Sequence, residues 1–297
     1  MRSGVSLLTE YRKSLKAIEV EELLDLIFFR PLAFLFVLAV YRTPLTPNAV
    51  TVIATVVGIA AAIWMGIGSG SALVIAALLL VLYDVLDCSD GMLARLQQSG
   101  SRIGRILDGA GDYIVTVAFY AGIGVGYASQ SASPRFAWAL TVAAGLSNAL
   151  HAVLVDFYRN RFLDYRLNRV SVLGADLEEF REEYQNLRNE KGRIGEKFLL
   201  WFYLRYSKLQ RLAVSRSSRL LEAAGIPGDL YVRANRRLMR WWTFLGPTTE
   251  LTLLILGCLA GRIEFFLWTI VLCGNVLAVL LKLLQDRSDR RLVAGRI

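Results

Sequence analysis

Long apolar runs separated by short polar connections are the main pattern of this chain. Six of the runs approach the roughly 20 residues that an α-helix needs to cross about 30 Å of hydrocarbon. They predict an all-α integral membrane protein with six transmembrane helices, at Ala49–Met65, Ala72–Asp90, Ile106–Tyr127, Phe136–Tyr158, Trp241–Ala260 and Phe265–Leu284.

Residues 1–47 precede the first span and have a different pattern. Acidic residues at positions 19, 21, 22 and 25 are followed, after Pro31, by an apolar run of only about ten residues. This run is short for spanning and predicts an amphipathic helix that lies in the membrane interface. The prolines of "TPLTPN" should end that helix, and Thr46 or Asn48 should cap the first span. The first 20 residues lack the apolar core and cleavage site of a signal peptide.

Residues 159–240 form a polar insertion between the fourth and fifth spans. The insertion contains the acidic stretch "DLEEFREEYQNLRNE" and a run in which apolar residues at helical spacing are interleaved with Lys and Arg. This pattern suits helices on the membrane surface, and the favoured interpretation of the insertion is a solvated cap without a catalytic part. The chain is therefore expected to comprise an interfacial segment (1–47), the first four spans (48–158), a helical cytoplasmic insertion (159–240), and the last two spans with a cytoplasmic tail (241–297).

Composition supports the membrane assignment and sets the expected orientation. Hydrophobic residues make up 55% of the chain, and the mean hydropathy is +0.45. If both termini are cytoplasmic, the outer loops contain only Arg135 and Arg262 of the 34 lysines and arginines, as the positive-inside rule requires. The net charge of +9 then suits anionic lipid headgroups. No nucleic-acid motif is present.

The cysteines, Cys88, Cys258 and Cys273, have no metal or redox spacing and are expected in the core.

The strongest chemical signal lies at residues 84–112, between the second and third apolar runs. Asp87 and Asp90 are three residues apart, and Asp108 and Asp112 are four apart, so each pair shares one face of a helix. A short hairpin would bring the pairs together. Four close carboxylates require compensating positive charge, and hard oxygen ligands without His or Cys suit Mg²⁺, with Mn²⁺ as an alternative. We therefore expect one or two divalent cations and a phosphorylated substrate.

Small residues surround the acids and would allow a ligand to approach closely; they are Gly91, Ala94, Gly104, Gly109, Ala110 and Gly111. Arg95 could hold a phosphate or brace a carboxylate. The competing hypothesis is a structural network in which Arg95, Arg102 and Arg105 pair with the acids. That network explains neither the convergence of four acids nor the small residues.

These residues follow the pattern Asp87-x2-Asp90-Gly91-x2-Ala94-Arg95-x8-Gly104-x3-Asp108-x3-Asp112. At every position the pattern resembles the signature of the CDP-alcohol phosphotransferase family. The resemblance implies a membrane enzyme that transfers a substituted phosphate from a CDP-linked donor to an alcohol and releases CMP. It extends to the six spans, the N-terminal amphipathic helix and the "TPN" entry to the first span, whereas the long insertion has no counterpart in the simplest members.

The resemblance also implies roles for individual residues. Asp87, Asp90 and Asp108 would bind a two-metal centre, and Asp112 would be the general base and a further ligand. Gly91, Ala94 and Gly104 would make room for the cytidine nucleotide, with Arg95 supporting the donor site. Family members are commonly homodimers, which implies the same state here.

Other polar residues carry weaker signals. Asp84 lies outside the signature and is expected to pair with a nearby base rather than bind nucleotide. His151, the only histidine, is expected to be a packed, hydrogen-bonded residue rather than a catalyst. A set of arginines at the cytoplasmic ends of the fourth and fifth spans could bind an acceptor phosphate or anchor the helices in lipid; it comprises Arg159, Arg161, Arg236, Arg237 and Arg240.

Two substrate assignments and one different class of function remain. In the favoured assignment a lipidic donor such as CDP-diacylglycerol reacts with a polyol or polyol phosphate of the inositol phosphate or glycerol phosphate type, in phospholipid biosynthesis. In the second, a soluble CDP-aminoalcohol reacts with a lipid alcohol such as diacylglycerol. A transporter would also bury charge, but it is expected to have broken helices or repeated topology, which the sequence lacks.

Overall fold

The computed structural model describes residues 7–15, 18–99, 102–167 and 224–295, with isolated residues between 181 and 221. These residues are predominantly helical and include no strand. The helices are α1 (Leu7–Ser14), α2 (Arg30–Val40), α3 (Pro47–Ile67), α4 (Gly70–Gln97), α5 (Arg102–Gln130), α6 (Pro134–Arg166), α7 (Gly228–Trp242), α8 (Pro247–Leu259), α9 (Ile263–Trp268) and α10 (Asn275–Val293). Short π-helices at Asp25–Phe29 and Thr269–Gly274 lead into α2 and α10, and a 3₁₀ turn at Thr243–Leu245 joins α7 to α8.

Five stretches of the described residues are long and apolar enough to cross a membrane: Pro47–Ile67, Gly70–Gln97, Pro134–Arg166, Gly228–Leu259 and Ile263–Val293. The sixth predicted span, Ile106–Tyr127, lies within α5, a 29-residue helix, and stays a prediction. The helices extend beyond the apolar runs that predicted them, because polar turns such as Leu163–Arg166 and Gly228–Arg240 continue the helical backbone. The outward side chains of α3 include Val52, Val56, Ile59 and Ile63, as expected for a lipid-facing helix.

The chain divides into two compact units. The first comprises Met1–Asn148 with Pro247–Leu272, and the second comprises Ala149–Gly246 with Cys273–Ile297. The signature residues 84–112 all belong to the first unit.

In the first unit, α3 and α5 pack backbone to backbone. A Cβ atom added to Gly122 would lie 2.1 Å from the carbonyl oxygen of Ala62, and one added to Gly126 would lie 2.2 Å from that of Met65. Gly122 and Gly126 form a small-xxx-small pair, which lets transmembrane helices approach closely where lipid offers no hydrophobic driving force. This packing fixes α5, and with it Asp108 and Asp112, against α3.

The N-terminal segment is more deeply embedded than its pattern predicted. Glu21, Glu22 and Asp25 are buried rather than directed to water, and Arg30 is buried beside them. The α2 helix begins at Arg30 with Pro31 in its first turn, where a missing N–H costs least. Thr46, rather than Asn48, caps α3, since its Oγ1 accepts a hydrogen bond from the Ala49 N–H at 3.2 Å.

In the second unit, aromatic stacking joins the end of α6 to α7. The Tyr158 and Trp242 rings stack with centroids 4.5 Å apart, and the Tyr165 and Tyr231 rings stack at 4.1 Å. Most of the predicted insertion lies outside the described residues. Its two ends are described, and they are the last turns of α6 and the helix α7.

The cysteines do not all lie in the core. Cys88 and Cys258 are buried as expected, but Cys273 is exposed. The expectation for Cys273 was wrong because this residue shares the outward face of its π-helix with Leu272, which is also exposed.

Candidate metal and transfer site

Three carboxylates from two helices meet at one point in the first unit. Each of Asp87, Asp90 and Asp108 offers a carboxylate oxygen, and these oxygens lie within 4.8 Å of one another. Asp87 and Asp90 come from the second half of α4, and Asp108 comes from the start of α5. The donors are hard oxygens with no histidine or cysteine among them, which is the ligand set that Mg²⁺ and Mn²⁺ prefer. The structure therefore brings together three of the four predicted acids in an arrangement that can hold a metal ion.

Asp112 lies one helical turn beyond Asp108 and interacts electrostatically with Asp87 and Asp90. Its Oδ1 accepts a hydrogen bond of 3.0 Å from the Tyr83 hydroxyl. The fourth acid thus lies beside the other three, with a specific donor on one of its oxygens.

Asp90 is held by a residue of the first span. The Thr51 hydroxyl donates a hydrogen bond to Asp90 Oδ2, and Thr51 is itself buried one turn into α3. Thr51 and Tyr83 were both missed by sequence reasoning. Tyr83 could have been found, because it lies four residues before Asp87 and so shares a face of α4 with the acids.

The small residues of the signature have different surroundings. A Cβ atom at Gly109 would meet nothing within 4 Å, whereas one at Gly111 would lie 2.9 Å from Thr55 Oγ1. A Cβ atom at Gly91 would lie 3.2 Å from a guanidinium nitrogen of Arg95. Ala94 and Gly104 are half-buried. Open space next to the acids is therefore found at Gly109, while Gly91 makes room for the Arg95 side chain.

Arg95 is linked to the N-terminal helix instead of to the acids. Its Nε donates a hydrogen bond to the carbonyl oxygen of Ser14, at the end of α1. No ion pair joins Arg95 to an acid among the residues that the structure describes, and the side chains of Arg102 and Arg105 lie outside them. The described part of the site therefore shows no salt-bridge network centred on Arg95.

Among the residues that the structure describes, no base pairs with Asp84, contrary to expectation. Asp84 is buried, and its Oδ2 has no hydrogen-bond partner in this part of the chain. It clusters with Asp25 and Cys88, with ligand atoms within 4.8 Å of one another. The expectation failed because the nearby guanidinium, that of Arg30, lies 2.6 Å from Glu21 and 3.8 Å from Asp25.

The buried acids of the N-terminal segment have their own partners. The Glu22 carboxylate accepts hydrogen bonds from the backbone N–H groups of Thr248 and Thr249, at 3.3 and 2.8 Å, so it caps the positive N-terminus of α8. Burial acts to lower the pKa of the Arg30 guanidinium, but the negative charges of Glu21 and Asp25 outweigh burial and raise that pKa. The N-terminal segment that packs against α4 therefore contains buried charged groups, and these groups have partners.

The five arginines proposed for acceptor binding have different environments. Arg161 is buried and its Nη1 lies 3.0 Å from Asp289 Oδ2, with the Tyr231 ring 5.4 Å from the guanidinium carbon. Arg159 and Arg240 are half-buried, and Arg236 and Arg237 are exposed. The inward face of α7 is made by Tyr231, Asn235, Met239 and Trp242, so Arg236 and Arg237 lie off that face.

His151 is fully buried and its Nε2 lies 3.1 Å from Asn275 Oδ1, which agrees with a packed, hydrogen-bonded role. Asn148 donates a hydrogen bond to Glu250, a buried carboxylate in the first turn of α8. Sequence reasoning did not single out Glu250, although an acid inside an apolar run is a signal in itself.

The fold and site define a helical membrane protein with a carboxylate centre able to bind metal. Residues 44–168 match the family model described as CDP-alcohol phosphatidyltransferase. The match begins just before α3, includes all four acids, and covers less than half of the chain. The predicted resemblance to that family of transferases is therefore confirmed over residues 44–168. A comparison with curated proteins finds no match.

Proposed function

We propose that this protein transfers a substituted phosphate from CDP-diacylglycerol, or a similar lipidic CDP donor, to the hydroxyl of a polyol or polyol phosphate, and releases CMP. The observation that carries the proposal is the meeting of Asp87, Asp90 and Asp108 within 4.8 Å, inside the segment that matches the family. Asp112 lies beside these three acids, and the three-acid cluster is complete without its carboxylate.

The donor set fits a divalent cation, because three carboxylates at this distance repel one another unless positive charge lies between them. We propose that Asp87, Asp90, Asp108 and Asp112 hold two Mg²⁺ ions, with Mn²⁺ as the alternative. When bound, such ions neutralise the donor diphosphate and stabilise the negative charge that develops on CMP.

The chain's own residues perform the proton transfer and the positioning. Asp112 accepts the proton of the acceptor hydroxyl as the new oxygen–phosphorus bond forms and the bond from phosphorus to the CMP oxygen breaks. Ala94 and Gly104 leave room for the nucleotide, and Gly91 does so next to the Arg95 guanidinium that lies against it. Arg95 supports the donor site while its Nε holds α1 through Ser14.

For the acceptor, we propose that Arg159, Arg236, Arg237 and Arg240 supply the positive charge that recognises a phosphorylated polyol. Exposed or half-buried guanidinium groups can form charge-assisted hydrogen bonds with a phosphate. Arg161, the fifth member of the set, is occupied by Asp289. We propose that it acts by holding the second unit together.

We further propose a homodimer in the cell membrane, with both termini and the acid cluster on the cytoplasmic side. This orientation is supported by the loops at 66–71, 128–135 and 260–265, which contain only Arg135 and Arg262 of the 34 lysines and arginines. In this arrangement residues 1–47 lie at the interface, and residues 48–158 form the first four spans and carry the transfer site. Residues 159–240 form a basic cytoplasmic insertion, and residues 241–297 form the last two spans and a cytoplasmic tail.

Mass spectrometry of the products tests the proposal. Purified protein would be given CDP-diacylglycerol with inositol phosphate, glycerol phosphate or free inositol, and separately CDP-aminoalcohols with diacylglycerol. We expect CMP and a new phospholipid in the first series, and neither product from an Asp87→Asn variant. Products in the second series alone would support the aminoalcohol reaction instead. A cation flux in liposomes without either product would favour a transporter.

A further inference from the structure

Tyr83 is a buried tyrosine that no part of the signature includes. It lies on α4 four residues before Asp87, and its hydroxyl reaches across to α5, where it donates a 3.0 Å hydrogen bond to Asp112 Oδ1. A side chain of one helix thus contacts the proposed base on the other.

The ring of Tyr83 is held on two sides. It packs edge-on against Phe119, with centroids 5.6 Å apart and an angle of 88° between the planes. On the other side lies Gly58 of α3, where an added Cβ atom would come within 3.2 Å of the ring and 2.6 Å of Val115. The absence of a side chain at Gly58 therefore leaves space for the Tyr83 ring in its present position.

We propose that Tyr83 is a positioning residue for Asp112: it fixes the plane of the carboxylate so that the base meets the acceptor hydroxyl in a productive direction. The proposal rests on the transferase function proposed above. A carboxylate joined to its backbone by flexible torsions needs a second contact to hold its direction, and a misplacement of about 1 Å can cost roughly 100-fold in rate. The Tyr83 hydroxyl provides that contact without itself touching a substrate.

The test is the Tyr83→Phe variant, which keeps the ring and its packing on Phe119 but removes the donor. At saturating metal we expect kcat to fall roughly 10- to 100-fold, the effect typical of losing an outer partner of a site carboxylate. The donor KM should stay within about twofold, since the hydroxyl contacts the base and not the nucleotide.

Tyr120→Phe is the matched control. Tyr120 lies on α5, its hydroxyl is buried, and that hydroxyl has no hydrogen-bond partner among the described residues. The same chemical change should therefore leave kcat and KM at wild-type values.

Gly58→Ala provides a second, independent perturbation. The new methyl group should displace the Tyr83 ring while the hydroxyl is retained, so kcat should fall. Gly58→Ala should lower kcat by a smaller factor in the Tyr83→Phe variant than in the wild type, because both changes remove the same contact.

The outcomes separate the positioning role from the transferase function. If wild-type protein releases CMP and Tyr83→Phe behaves like Tyr120→Phe, the positioning role is overturned and the transferase function stands. If Tyr83→Phe raises the donor KM with kcat unchanged, Tyr83 acts on binding and the inference is again wrong. Wild-type protein that releases no CMP from any CDP-linked donor would overturn both.

Discussion

Removing Arg161 should destabilise the protein, because this side chain neutralises a buried carboxylate. Asp289 is fully buried, and its Oδ2 lies 3.0 Å from Arg161 Nη1 while Gln285 donates a 3.0 Å hydrogen bond to Oδ1. In Arg161→Ala, Asp289 would keep the amide donor but lose its cation. Breaking a buried pair from one side costs about 3–5 kcal/mol, and the lost contact with the Tyr231 ring adds to that cost.

The assay is thermal unfolding of the purified protein in detergent. With about 2–4 °C for each kcal/mol, Arg161→Ala should lower the melting temperature by roughly 6–20 °C. Arg237→Ala, at an exposed arginine of the same proposed set, is the matched control and should leave the melting temperature unchanged. The double variant Arg161→Met/Asp289→Leu should recover much of the loss, since replacing both charges with apolar groups is often neutral or stabilising.

Two results would contradict this role of Arg161. If Arg161→Ala melts like Arg237→Ala, the buried pair contributes nothing to stability. If Arg161→Ala keeps its melting temperature but loses the use of a phosphorylated acceptor, Arg161 belongs to the acceptor site and not to the scaffold.

Two further predictions concern packing and acceptor recognition. Gly122→Ala should destabilise the protein by about 1–3 kcal/mol, because its Cβ atom would lie 2.1 Å from a backbone oxygen that cannot rotate away. Melting curves should show this loss of stability. Gly70→Ala is the control and should not change the melting curve, since nothing lies within 4 Å of its added Cβ atom. An Ala substitution at an arginine that contacts the acceptor, at position 236, 237 or 240, should raise the KM for inositol phosphate about tenfold or more, as expected from a lost charge-assisted bond of roughly 1.5–3 kcal/mol. The KM for free inositol should not change, and equal effects on both acceptors would count against a phosphate contact.

The sequence was sufficient for features that depend on local periodicity. The apolar runs located α3 and α4, and the i, i+3 and i, i+4 spacing of the acids predicted that Asp87, Asp90 and Asp108 would meet. That Asp87 and Asp90 share one face follows from helix geometry alone, since residues on one face of a helix stay together wherever the helix is placed. Their meeting with Asp108 also needs the short hairpin that joins α4 to α5.

Features that depend on distant partners could not be predicted in the same way. Glu22 looked like part of a water-facing stripe, but its hydrogen-bond donor Thr248 lies 226 residues further along the chain. Arg161 looked like an anchor or a phosphate ligand, but its partner Asp289 is 128 residues away. A pattern of charges shows that compensation is needed without showing which tertiary partner supplies it.

The sequence also could not show that Tyr83, rather than another neighbouring residue, contacts Asp112. The spacing Tyr83-x3-Asp87 places the tyrosine on the correct face of α4, but the contact with Asp112 depends on how closely α4 and α5 approach. That approach is set by small residues such as Gly58, where Val115 and Tyr83 occupy the space of a missing side chain.

The most direct test of the metal-binding carboxylate centre is the rate of CMP release from CDP-diacylglycerol by wild-type protein, Asp112→Asn and Asp87→Asn, each with Mg²⁺ and with excess chelator. We expect chelation to abolish release by the wild type and added Mg²⁺ or Mn²⁺ to restore it. Asp112→Asn should bind the donor but not turn it over, since an amide keeps the shape of the carboxylate and cannot accept the proton, whereas Asp87→Asn should also bind the donor more weakly. Undiminished CMP release in excess chelator would contradict the metal centre, and a near-normal rate for Asp112→Asn would contradict the role of Asp112 as the base.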